Sequence, residues 1–130
     1  MIRTLAGAVA GIAIAIVLMM GIEALGYVVA PPPALDLDDP NAAASLPVIN
    51  QMFPIIGWLV ATLLGGWVAI LISRRDWTSW IVAASVLVGE IADYLLGRHA
   101  AWVIALGVIA PLAAAWLAQK LPSRSPGISA

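Results

Sequence analysis

The chain has no cysteine, a single histidine and a single phenylalanine, and charged residues make up only 10% of it. Without cysteine there is no disulfide framework, thiolate metal site, lipid-modified cysteine or thiol nucleophile. The 6 lysines and arginines are spread over the ends of apolar runs, so a nucleic-acid footprint has no support. His99 has no metal-ligating neighbour at a usable spacing, and its expected role is that of an interfacial polar residue. Ser45, Ser79 and Ser85 have no adjacent base, and no glycine-rich phosphate loop is present. Asp36, Asp38 and Asp39 resemble a calcium loop only in spacing, because the glycine and later glutamate are missing and Pro40 interrupts them. No enzyme, cofactor or dedicated metal centre is expected.

What the chain has is apolar length. Hydrophobic residues make up 63% of it, which excludes a soluble globular domain. Four runs, 4–30, 54–72, 77–96 and 101–119, each reach the roughly 20 residues that a bilayer crossing requires. In lipid each must satisfy its own backbone, so all four are predicted helices; they are too long and too rarely alternating for barrel strands. The expected fold is an all-α, integral-membrane four-helix bundle. The first run is longer than the apolar core of a signal peptide, and Pro31 would follow the cut, so it is read as a retained helix.

Charge placement predicts the threading. Arg3, Arg74, Arg75, Lys120 and Arg124 fall on one side of a four-span path and only Arg98 on the other. The positive-inside rule then places both ends and the Arg74–Asp76 turn in the cytoplasm. Trp77, Trp80 and Trp116 are expected at that interface, and Tyr27, Trp58, Tyr94 and Trp102 at the outer one. The outer connection, 31–53, begins with Pro31-Pro32-Pro33, which cannot continue a helix. Asp39 followed by Pro40 has the pattern of an N-cap and first helical position, predicting a short helix over 41–46. Pro47 and Pro54 are expected to kink or restart the second span. The turns after the second and third spans are tight, which makes the last three spans antiparallel neighbours. An irregular tail is expected over 122–130, with Pro122, Pro126, Gly127 and three serines.

Small residues recur at helix-packing spacing. Gly7 and Gly11 lie in the first span, Gly57, Ala61, Gly65 and Ala69 in the second, and Ser85 and Gly89 in the third. Such stripes let helix backbones approach closely in lipid, either within this bundle or across a homo-oligomer seam. Pro111 leaves the Gly107 carbonyl without its helical partner, which predicts a modest kink in the fourth span, and Gly107 is expected to give room for a neighbour.

Three acids stand inside these runs: Glu23, Glu90 and Asp93. Glu23 and Glu90 each lie seven residues before the outer end of their span (23 to 30, 90 to 97), roughly 10 Å below it. Each has a tyrosine one turn further out, Tyr27 and Tyr94. Asp93 shares a helix face with Glu90, so the pair is not expected to be fully ionised unless a cation intervenes. Arg98 could fold back onto Asp93. Three readings remain open. The acids glue helices through Arg98, Tyr27, Tyr94 or backbone, or they line a hydrated cavity that binds a cation or proton, or they pair with a polar group on another subunit.

The order of motifs resembles a group of small, uncharacterised four-span proteins of the bacterial inner membrane. The residues that carry the likeness are Glu23, Pro31-Pro32-Pro33, Asp36 to Pro40, Leu46-Pro47, Trp58, Gly65-Gly66, Arg74-Arg75 and Trp102. The chain departs from that group in having Ala101 where a proline usually stands beside the late tryptophan, and in its Glu90/Asp93 pair. The resemblance implies a multi-pass inner-membrane bundle and carries no activity. The small multidrug exporters are less similar, because their loops are short where this one is long and acidic. The leading expectation is a non-enzymatic accessory or structural protein that packs against another membrane subunit or itself. The alternative is a small transporter or a cation- or proton-binding protein working through Glu23, Glu90 and Asp93.

Overall fold

The computed structural model describes residues 1–36 and 38–123. Leu37 and residues 124–130 lie outside the described residues, and with them Arg124 and most of the expected tail. Four helices, α1 (Ile2–Val29), α2 (Val48–Ser73), α3 (Thr78–Leu95) and α4 (Ala101–Ala118), form an all-helical bundle without strands among the described residues. Each is long and apolar enough to cross a membrane, which makes this a multi-pass membrane protein.

The ends of the helices follow from local chemistry. α1 has no internal proline and stops at Ala30, whose extended backbone precedes Pro31 and whose N–H reaches the Gly26 carbonyl. The chain then runs irregularly to a 3-10 turn, Ala43–Ser45. The helix expected over 41–46 is therefore shortened to one turn. Asp39 Oδ1 accepts the Asn41 N–H at 2.8 Å in a turn ahead of it, but the 3-10 turn itself has no side-chain cap, and the segment between two prolines is too short to propagate.

α2 differs more from expectation. It starts at Val48 on Pro47, six residues earlier than the predicted span, and passes through Pro54 without restarting. Pro54 is the seventh residue of α2 and costs it the ladder bond to the Asn50 carbonyl, yet the helix continues through it. One consequence is that Asn50 and Gln51 are helical residues rather than part of the outer connection. At its other end α2 is closed by Arg74 in the left-handed conformation (φ 59°), whose N–H bonds Ile70 O at 2.7 Å. Ser73 Oγ and Thr78 Oγ1, 2.9 Å apart, brace the turn into α3.

α2 is the central helix and touches all three others, with α1 and α4 on different flanks. α1 lies antiparallel to it, with Gly7 at Ala69 and Ser73, Gly11 at Gly65, and Gly26 at Phe53. A Cβ on Gly11 would come 2.5 Å from Gly65 O, so the two backbones are in direct contact. Packing rather than hydrophobicity holds such a pair in lipid. The dry centre is alanine-rich: Ala15, Ala61, Ala69, Ala114, Ala115 and Ala118 are buried with Ile70, Val82 and Val103. At the Arg74 end, Ser79 Oγ donates to Ala115 O at 3.1 Å and ties α3 to α4, while Trp67 Nε1 donates to Pro122 O at 3.0 Å. α4 runs unbroken through Pro111. The opposite end of the bundle, near Asp93, is looser and holds the acids.

Candidate functional site

Glu23 comes from α1, and Glu90 and Asp93 come from α3. All three line one cleft of about 140 Å³ together with Met19, Met20 and Trp58. Glu23 and Asp93 also line a second, larger cleft of about 180 Å³ nearer the Pro31–Pro33 end, with Gln51, Phe53, Tyr27 and His99 on its walls. Leu35 and Leu46 of the connecting segment also line it. The two clefts therefore share an acidic boundary.

Glu90 is the most constrained of the three. Its residue is only 1% exposed, and neither carboxyl oxygen has a hydrogen-bond partner among the described residues. Two neighbours create its slot. Trp58, 3% exposed, presses against it from α2, and Gly107 leaves room for it on α4. A Cβ on Gly107 would lie 2.5 Å from Trp58 Cζ3 and 2.8 Å from Glu90 Oε2. Trp58 thus belongs to the core and not to the outer interface, because a glycine opposite it admits the whole ring. An ionised carboxylate in such a slot would carry its desolvation cost uncompensated; a proton or a cation removes that cost.

Asp93, in contrast, is well served. Gly97 adopts the left-handed conformation (φ 69°) after α3, which reverses the chain so that the Arg98 N–H bonds Asp93 O at 3.0 Å. Arg98 Nη1 then returns to Asp93 Oδ1 at 3.2 Å, in an exposed pair that contributes little stability. His99 Nε2 stands 3.7 Å from Asp93 Oδ2, and its ring meets Trp58 edge-on with centroids 5.3 Å apart. Burial pushes the His99 imidazole below its usual pKa, against the opposing pull of Asp93.

The tyrosines behave otherwise than expected. Tyr27 and Tyr94 are exposed, and neither donates to an acid among the described residues. Tyr27 lines the outer cleft, and neither tyrosine lines the inner cleft beside Glu90. Glu23 is half-buried with no hydrogen bond or ion pair among the described residues, and it lines both clefts.

The stripe residues are placed as follows. Gly7, Gly11 and Gly65 carry the α1–α2 contact, Ala61 is fully buried, and Gly57 meets Ile22 at ordinary distance. A Cβ at Gly89 would meet nothing within 4 Å; Gly89 instead lines the inner cleft.

Two further buried residues, which no motif marks, belong to this region. Gln51 is buried, its Nε2 donating to Leu46 O at 2.6 Å and its Oε1 left without a partner. Thr62, one turn from Trp58 on α2, is also buried with its hydroxyl unpartnered. Gly107, expected to give room for a neighbour, gives it to Trp58 and Glu90. The spacing of Trp58 and Thr62 at i and i+4 was the available signal, and Gln51 was hidden by starting the second span at Pro54. No family model, curated protein or solved structure matches the chain, so the reading of this site rests on its geometry.

Proposed function

We propose that this protein binds and exchanges a proton or a small cation at its intramembrane carboxylates, as a small carrier or cation-binding membrane protein. The observation that carries the reading is Glu90, a buried carboxyl without partners on the wall of a cleft shared with Glu23 and Asp93. A purely structural acid is expected to be hydrogen-bonded, since an unsatisfied buried polar group is destabilising. An acid kept without partners is available to a ligand. In this reading a cation enters at the Pro31–Pro33 end, passes Glu23 and Asp93, and exchanges with the proton on Glu90. The one-sided placement of Arg3, Arg74, Arg75 and Lys120 supports a single orientation with that entrance on the outer face of a bacterial inner membrane.

The accessory-subunit reading, with a membrane-protein partner or a second copy on the small-residue stripes, has less support. Gly7, Gly11, Ala61 and Gly65 are already used inside the bundle. A stoichiometric partner co-purifying in mild detergent would favour it.

Proteoliposomes with a trapped pH dye test the carrier reading. An imposed cation gradient should drive proton movement in the wild type, and Glu90→Gln should reduce the rate to that of empty vesicles. A wild-type rate equal to empty vesicles, or a Glu90→Gln rate equal to wild type, would overturn it.

A further inference from the structure

Gln51 and the outer cleft ask for a more specific ligand than a bare ion. Among the described residues no three His, Asp and Glu side chains gather closely enough to hold a metal ion, so the acids do not form a coordination shell. The outer cleft, about 180 Å³, is also larger than a dehydrated inorganic cation needs. Its walls carry Tyr27, Asn50 and His99 beside the acids, and with Asn50 Nδ2 committed to Ala30 O, the acceptors left without a donor among the described residues are Gln51 Oε1 and the Glu23 carboxylate. Gln51 is 6% exposed, and because its amide nitrogen is committed to Leu46 O, its Oε1 is the end left without a donor. Glu23 and Asp93 add carboxylates from two other directions. The remaining walls are apolar, chiefly Phe53, Pro54 and Leu46.

We infer that the outer cleft recognises a small organic cation of the primary-ammonium class. Its N–H donors take Gln51 Oε1 and the carboxylates of Glu23 and Asp93, and its short alkyl body lies against Phe53, Pro54 and Leu46. An ammonium suits this set because it offers three donors and no acceptor. Its charge answers the Glu23 carboxylate, since Asp93 already has Arg98, and its alkyl part removes apolar wall from water. Gly26 permits the pocket by letting the Phe53 ring lie against α1; a Cβ there would stand 2.8 Å from Phe53 Cγ. The inference rests on the cation-binding reading above and names the class of cation.

The test is titration calorimetry on the purified full chain with methylammonium, n-butylammonium, n-butanol and potassium at constant ionic strength. Affinity should rise by roughly fourfold for each methylene from methyl- to n-butylammonium, as buried CH₂ groups require. Neither n-butanol nor potassium should compete. Gln51→Leu should weaken n-butylammonium roughly tenfold, the loss expected for a hydrogen bond to a charged group. The chain-length series needs no variant, so it decides the matter even if Gln51→Leu fails to fold. Equal affinities across the series, competition by potassium, or an unchanged Kd in folded Gln51→Leu would overturn the inference. If n-butylammonium does not bind while Glu90-dependent proton movement persists, only the ligand class is wrong. If both fail, the underlying reading fails with it.

Discussion

Each titratable group at the Asp93 end is governed by what its immediate neighbours supply. Asp93 has Arg98, a histidine and a turn that reverses onto it; Glu90, one helical turn away, has none of these. His99 shows the consequence for pH. Its folded-state pKa lies below the ordinary 6.5 because burial disfavours the imidazolium more than Asp93 favours it. An unfolded chain therefore binds this proton at higher pH than the folded one. Stability from this source is present above about 6.5 and is lost as pH falls through the window towards the lower folded value. Thermal unfolding in detergent, compared between about pH 7.5 and 5.5, should show a larger loss of Tm for wild type than for His99→Phe. An equal loss in both would mean that His99 titrates as it does in water.

The helices pair by different means along their length. Near the Arg74 end α1 and α2 meet backbone to backbone through Gly7, Gly11 and Gly65, and α3 and α4 are joined through Ser79. Near the other end the contact widens to admit Phe53 against Gly26 and the clefts beside Glu23. A side chain at Gly11 must push on the Gly65 carbonyl, which cannot yield as a flexible side chain would. Gly11→Val should therefore destabilise by about 1–3 kcal/mol, whereas Gly21→Ala, with nothing within 4 Å, should change little. Denaturant unfolding of the two variants beside wild type measures the contrast. The central position of α2 explains why its early start matters. By beginning at Val48 it carries Asn50 and Gln51 into the bundle, where Asn50 Nδ2 donates to Ala30 O at 2.5 Å and holds the end of α1.

For the whole molecule, the four-helix membrane bundle was legible in the sequence because lipid leaves a chain so few choices. An apolar run of sufficient length must be a helix, and tight turns make neighbours antiparallel. The convergence of the acids was only half legible. Spacing put Glu23 and Glu90 at one depth, but helix rotation depends on the fit of Gly11 on Gly65 and of Trp58 on Gly107, which no periodicity encodes. Trp58, expected at the outer interface, is found in the core for that reason, since an interface tryptophan and a core one look alike in sequence. Pro54 is a related case: the apolar run begins at it, whereas α2 begins at Val48 and continues through it.

The account turns on whether the Glu90 carboxyl communicates with the clefts. Infrared difference spectroscopy on reconstituted protein, with Glu90→Gln as reference, reads its carboxylic C=O band directly. The account predicts a band assigned to Glu90 that changes with pH and shifts when a primary ammonium salt is added. A Glu90 band that stays fixed across pH and is indifferent to added cations would mark a sealed structural acid and contradict it.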